Sequence, residues 1–155
     1  MGKVVSLGTL KRKTAELRKK RKKVVFTNGC FDILHSGHVK LFKKARSYGD
    51  VLVVAVNADA SVRRLKGRGR PVIPCRERMV LLAALCDVDY VLEFREDTPL
   101  RVIKELKPAV VVKGGDWKTG TIVGEGLARV IRAPYIKGFS TTGIIERIRR
   151  SSLKK

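Results

Sequence analysis

The chain of 155 residues is 44% hydrophobic, enough to bury one core, and it holds no apolar run near the roughly 20 residues of a membrane-spanning helix. Its 35 lysines and arginines against 14 acidic residues give a net charge of +21, which favours anionic partners: a phosphorylated small molecule, a nucleic acid, or only water around a charged surface. Three cysteines without framework spacing, and an N-terminus lacking an apolar signal segment, argue against a secreted disulfide scaffold and predict reduced thiols in a cytoplasm.

In chain order, residues 1–23 read as a basic N-terminal extension, with an exposed helix over Leu10 to Lys22 whose stripe of Leu10, Ala15 and Leu17 is thin. Residues 24–155 read as one domain ending in a basic tail. Apolar runs predict strands at Val24 to Thr27, Val51 to Val56, Tyr90 to Phe94, Ala109 to Lys113 and Pro134 to Lys137. Helical spacing predicts helices over His38 to Tyr48, Glu77 to Leu85, Pro99 to Leu106, Val123 to Ile131 and Thr141 to Arg150. Strands alternating with helices imply an α/β domain: a five-stranded, mainly parallel sheet covered on both faces, a Rossmann-like three-layer αβα sandwich.

The stretch Thr27-Asn28-Gly29-Cys30-Phe31-Asp32-Ile33-Leu34-His35-Ser36-Gly37-His38 joins the first of these strands to its helix. Amides at a helix start lack internal partners and carry the positive end of the helix dipole, so they attract anions. Gly37 leaves room for a phosphate, and His35 and His38, three residues apart, share one face of the first turn, where imidazoles can donate to phosphoryl oxygens. Two other readings compete. The histidines could simply cap the helix, or Cys30, His35 and His38 could ligate zinc; a structural zinc takes four ligands at paired spacing, which neither Cys75 nor Cys86 supplies, and no metal held by side chains is expected.

In open parallel sheets ligands bind beyond the carboxyl ends of the strands, and the remaining polar motifs fall there. Asn57-Ala58-Asp59 leads into Arg63 to Arg70, a cationic, glycine-punctuated loop suited to closing over phosphates. Lys113-Gly114-Gly115-Asp116 offers close backbone approach and a charge. Ser140-Thr141-Thr142-Gly143 places hydroxyls at another helix start.

The glycine, the FD pair and HxGH after a first strand resemble the signature of the nucleotidylyltransferase superfamily. With VAVNxDxSVxxLKG, RPVxPxxxRMxxLxAL, VVKGGDW and STTxII, residues 24 to 150 are similar to its heptose 1-phosphate adenylyltransferase branch. The resemblance implies transfer of AMP from ATP to D-glycero-β-D-manno-heptose 1-phosphate, giving ADP-heptose and pyrophosphate for lipopolysaccharide synthesis. Related members use glycerol 3-phosphate with CTP, or flavin mononucleotide with ATP. It further implies Mg²⁺ accompanying ATP and a homodimer.

By the same resemblance, His35, His38 and Lys113 would stabilise the transition state. Asn28, Gly29, Cys30, Phe31 and Gly37 would bind ATP on one side, with Gly114, Gly115, Asp116, Ser140, Thr141 and Thr142 on the other. The acceptor would meet Asp32, Asn57, Asp59, Lys66 and Arg78, and also Arg46, which stands where related cytidylyltransferases carry a lysine. A nucleic-acid-binding module is the reading from a different class, motivated by the basic clusters at both ends. Aromatics at 6% and clusters without interleaved stacking residues leave it as nonspecific attraction.

Overall fold

The computed structural model describes residues 2–114, 123–133 and 140–152. A short strand, β1 (Lys3–Val4), precedes α1 (Leu7–Lys19), whose start is fixed by Ser6 Oγ accepting the Thr9 amide at 3.2 Å. Then come β2 (Val24–Gly29), α2 (Ser36–Arg46), β3 (Val51–Asn57), α3 (Asp59–Lys66) and α4 (Cys75–Ala83). The chain continues through β4 (Tyr90–Phe94), α5 (Leu100–Leu106), β5 (Val110–Gly114), β6 (Arg129–Ala133) and α6 (Thr141–Ser152).

The strands form one sheet in the order β1-β4-β3-β2-β5-β6, and every pairing is parallel. Successive residues of a strand face opposite sides, so strands covered on both faces need apolar residues throughout. Val25, Leu52, Val54, Val56 and Val112 pack with Phe42 and Ala45 of α2 and Leu82 of α4. Val24, Phe26, Val53, Ala55 and Val111 pack on the opposite face with Leu10 of α1 and Ile103 and Leu106 of α5. This is an α/β Rossmann-like domain with helices on both sides of the sheet.

Four elements depart from the sequence reading, the first being α3 (Asp59–Lys66), where no helix was expected and the run from Arg63 was read as a loop. The sheet has six strands rather than five, because the two-residue β1 pairs with β4 at Lys3 and Tyr90, too short a run to show periodicity. The helix expected to be exposed at Leu10 to Lys22 starts at Leu7 and buries Leu10 and Thr14 fully, so its thin apolar stripe is the seam against the sheet. The helix expected over Val123 to Ile131 is a turn followed by β6. Gly124 at φ 113° and Gly126 at φ 78° occupy left-handed backbone that a helix cannot use. The strand expected at Pro134 to Lys137 lies outside the described residues.

Because β3 pairs with one edge of β2 and β5 with the other, the strand order reverses at β2. A crevice opens beyond the carboxyl ends of β2 and β5 at such a reversal. Close approach builds its floor: a Cβ added to Gly114 would stand 2.9 Å from Leu41 Cδ2 of α2. No described helix is long and apolar enough to cross a membrane.

Candidate active site

At that reversal lies a cavity of about 800 Å³. Its centre is the β2–α2 junction. His35 is the N-cap of α2 in extended backbone, and its carbonyl accepts the His38 amide at 2.9 Å, which closes the first turn. The two imidazoles stack with centroids 3.8 Å apart at 25°, and the edge of Phe31 meets His38 at 5.3 Å. Phe31 sits in left-handed backbone at φ 45° and is 5% exposed, packed also against Phe42. The aromatic shelf thus fixes the histidine pair against the core.

Burial, reinforced by the neighbouring His35, pushes the His38 pKa down to about 4, and burial also lowers that of His35. Both rings are therefore neutral at pH 7, with one N–H each to offer. The Nδ1 atoms of both are buried without a hydrogen-bond partner among the described residues. Both rings line the cavity, and a buried polar atom without a partner is a cost that packing alone does not repay.

Across the crevice, Lys113 at the end of β5 donates to Asn28 Oδ1 at the end of β2, at 2.5 Å. Burial pulls the Lys113 pKa down to about 8, opposed by Cys30, whose own thiol is pushed up by burial. Ser140 Oγ accepts the Gly143 amide at 3.0 Å and caps α6, and Thr141 Oγ1 reaches the Ile33 carbonyl at 3.5 Å. The head of α6 is thereby docked beside the β2–α2 loop. Asn28, Gly29, Cys30, Phe31, Gly37 and Gly114 line the cavity with His35, His38, Lys113 and Ser140 to Thr142. Gly115 and Asp116 lie outside the described residues.

The residues expected on the acceptor side divide. Asn57 and Lys66 line the cavity. Asp32 lines it too, but its carboxylate is taken: it accepts Arg70 Nε at 2.5 Å and the Val72 and Ile73 amides at 2.8 Å each. Burial disfavours its charge, yet the Ile73 and Val72 amides and Arg70 outweigh that and hold the carboxyl below the usual range. Asp32 fastens the loop that brings Arg70 to the cavity.

Arg78 and Asp59 are not cavity residues. Arg78, 0% exposed, donates to the carbonyls of Ile73, Asn57 and Cys30 and to Asp59 Oδ1, which also accepts the Cys75 amide. This tie lies beneath the site and joins the ends of β2 and β3 to the start of α4. Arg46 is displaced altogether: it is at the far end of α2, donating to the Gly49 carbonyl at 2.5 Å and standing 3.4 Å from Asp89. Eight residues beyond His38, it is about 12 Å along the helix axis.

Lys40 and Lys44 do line the cavity, and sequence reasoning missed them. Their signal was present, since positions three and seven beyond Gly37 share its helical face. Leu65 and Arg70, from the cationic run expected to close over phosphates, line it too, whereas Asp97 and Thr98 were missed as well. Asp97 and Thr98 follow β4, so the strand-end rule alone would have marked them. Among the described residues no group of three or more His, Cys, Asp or Glu side chains is placed to hold a metal ion.

The chain is similar to known proteins in sequence and in fold. The chain is 55% identical over 135 residues to the bifunctional protein HldE of a Nitratiruptor species, covering 86% of this chain and 29% of that protein. It is 52% identical over 151 residues to HldE of Geobacter sulfurreducens, covering 94% and 31%. It therefore spans about three tenths of the length of the curated relatives it matches. Among solved structures, the lipopolysaccharide core biosynthesis protein from Thermoplasma volcanium superposes with a TM-score of 0.60 at 26% identity, covering 77% of this chain and 99% of that one. The pantoate-beta-alanine ligase from Francisella tularensis, solved with an ATP analogue and beta-alanine, shares the fold at a TM-score of 0.66 and 16% identity, covering 92% and 70%. The cytidylyltransferase-like family model matches residues 26–147, and the chain belongs to that family.

Proposed function

We propose that the protein is an adenylyltransferase that joins AMP from ATP to a sugar 1-phosphate, D-glycero-β-D-manno-heptose 1-phosphate, and releases pyrophosphate. The observation that carries this reading is the pair of neutral, stacked imidazoles at the head of α2, facing a cavity with Lys113 and the head of α6. An acceptor phosphate is ionised at pH 7 and needs no general base, so catalysis rests on positioning and on stabilising charge as it develops. An acceptor oxygen forms a bond to the α-phosphorus while the bond to the pyrophosphate oxygen breaks, and the electron pair leaves with pyrophosphate.

In this scheme the N–H groups of His35 and His38 donate to the oxygens around the α-phosphorus. The Thr141 and Thr142 amides, which make no hydrogen bond among the described residues, and Lys113 receive the β- and γ-phosphates. Lys40, Lys44, Lys66 and Arg70 bring cationic charge to the remaining cavity wall. Mg²⁺ would travel on the triphosphate, shielding its charge; Asp32, whose oxygens are taken by Arg70 and the Val72 and Ile73 amides, would not hold it.

The test is pyrophosphate release with Mg²⁺ and either ATP or CTP, against heptose 1-phosphate, glycerol 3-phosphate and flavin mononucleotide. Release that requires ATP and the heptose phosphate together supports the proposal. Release with CTP or another acceptor keeps the chemistry and refutes the substrate.

A cytoplasmic setting and a homodimer belong to the same proposal. The three free cysteines support the first, and α6, which buries none of its residues, offers surface for the second. Nonspecific attraction to nucleic acid is supported at the α1–β2 junction, where Lys19, Lys20, Arg21 and Lys23 make no ion pair among the described residues. Such binding would weaken steeply with added salt and show no sequence preference.

A further inference from the structure

Two carboxylates line a cavity otherwise walled by Lys40, Lys44, Lys66, Arg70 and Lys113, and they are in opposite states. Asp32 is saturated by the loop it fastens. Asp97 is gripped on one side only: Arg64 Nε and Nη2 both donate to its Oδ1, at 2.9 and 2.6 Å, and Ser61 Oγ lies 3.5 Å from the same atom. Its Oδ2 has no hydrogen bond among the described residues.

The grip is part of a wider network, although Arg64 and Asp97 are each about half exposed. Arg64 Nη2 also donates to the Arg95 carbonyl at 2.9 Å, and the fully buried Ser61 donates to the Glu96 carbonyl at 3.1 Å. Asn57 Nδ2, at the end of β3, donates to Ser61 Oγ at 3.0 Å. Nothing among the described residues donates to Asn57 Oδ1, although Asn57 is 3% exposed and lines the cavity. The ends of β3 and β4 thus present two open acceptor oxygens, with the Thr98 hydroxyl beside Asp97 on the same wall.

Open acceptors select donors. A phosphate offers none and is repelled by a carboxylate, whereas a hydroxyl donates to it, and the hydrogen bond is strengthened by the charge. We propose that Asp97 Oδ2, Asn57 Oδ1 and the Thr98 hydroxyl form a polyol subsite that reads the ring hydroxyls of the acceptor, with the acceptor's phosphate left to the cationic wall. This deepens the adenylyltransferase reading and rests on it for the identity of the acceptor. Asp97 and Thr98 are then specificity-determining residues, outside the bond-making centre.

The test compares Asp97→Asn, which keeps the shape and places an amide donor where a hydroxyl must donate, with Thr98→Val, which leaves the Arg64 pair alone. Steady-state kinetics should show KM for heptose 1-phosphate raised about tenfold or more in Asp97→Asn and a few-fold in Thr98→Val, with KM for ATP moving less than about twofold. Thermal melting of both variants checks that the loop holds. Unchanged acceptor KM, or equal rises for both substrates, overturns the subsite.

If the wild-type enzyme turns over no sugar phosphate, the proposed function fails by itself. The subsite is then read by calorimetric binding of heptose 1-phosphate in the presence of a non-hydrolysable ATP analogue. Binding weakened about tenfold by Asp97→Asn sustains the subsite, and equal binding by both proteins, or none by either, refutes it.

Discussion

The two sides of the crevice between β2 and its neighbours are built on opposite terms. Toward α2 and α6 polar groups stand without protein partners: among the described residues neither the buried histidine Nδ1 atoms nor the Thr141 and Thr142 amides have one. Beneath β3 and α4 they are closed on one another, with Arg78 donating to three carbonyls and Asp59, and Asp32 holding Arg70 and two amides. A closed network lowers the energy of the folded chain alone, whereas an open one costs stability until a ligand arrives. The difference separates scaffold from working surface among residues that look equally functional in the sequence.

Breaking the closed side should act on stability. Arg78→Met leaves Asp59 without its cation and three carbonyls without a donor, and we expect a loss of about 3–5 kcal/mol in urea unfolding. A native-like midpoint would refute the scaffold role. Breaking the open side should act on rate. His38→Ala is expected to lower kcat about 100-fold or more, as removal of one donor to a developing charge does, with KM for ATP little changed. An unchanged kcat would remove the histidine from the chemistry.

The two sides also respond differently to pH. His38 titrates near 4 in the folded chain against an ordinary 6.5, so as pH falls the unfolded chain takes up this proton first. Its contribution to stability is complete above pH 6.5 and is lost between 6.5 and 4; His38→Gln should flatten that part of the stability profile relative to the parent. Lys113 loses its charge as pH rises through about 8, so affinity for ATP should decline above that pH and Lys113→Met should lose the trend.

The smallest effect separates two cations on one helix. Lys44→Ala, in the cavity wall, should raise the acceptor KM several-fold, about 1 kcal/mol, while Arg46→Ala should leave both Michaelis constants alone. Its half-exposed pairing with Asp89 is worth roughly 0.2–1 kcal/mol of stability. A raised KM for Arg46→Ala would return that residue to the acceptor.

What could be read without coordinates follows the same division. The β2–α2 head is contiguous, so one stretch of sequence displays the strand, the break and both histidines, and the structure brings together those it describes. The acceptor wall is assembled from α2, α3 and the loops after α3 and β4, and no local pattern signals that Asp97 and Asn57 meet through Ser61. Asp32, Asp59 and Arg78 have the composition of binding residues, but whether a charge faces a ligand or a neighbouring carbonyl is decided by packing at long range. Leu10 was legible as apolar yet not as buried, because its partners Ile103 and Leu106 come from α5, some ninety residues on. Gly124 and Gly126 carried the warning against a helix before β6.

If the proposal holds, the cavity transfers a nucleotidyl group intact. The direct measurement is turnover of ATP radiolabelled at either the α- or the γ-phosphate with heptose 1-phosphate, followed by separation of the products. We expect α-label in the sugar nucleotide and γ-label in pyrophosphate, both suppressed in His38→Ala. Label released as free AMP or inorganic phosphate, with none on the acceptor, would contradict it.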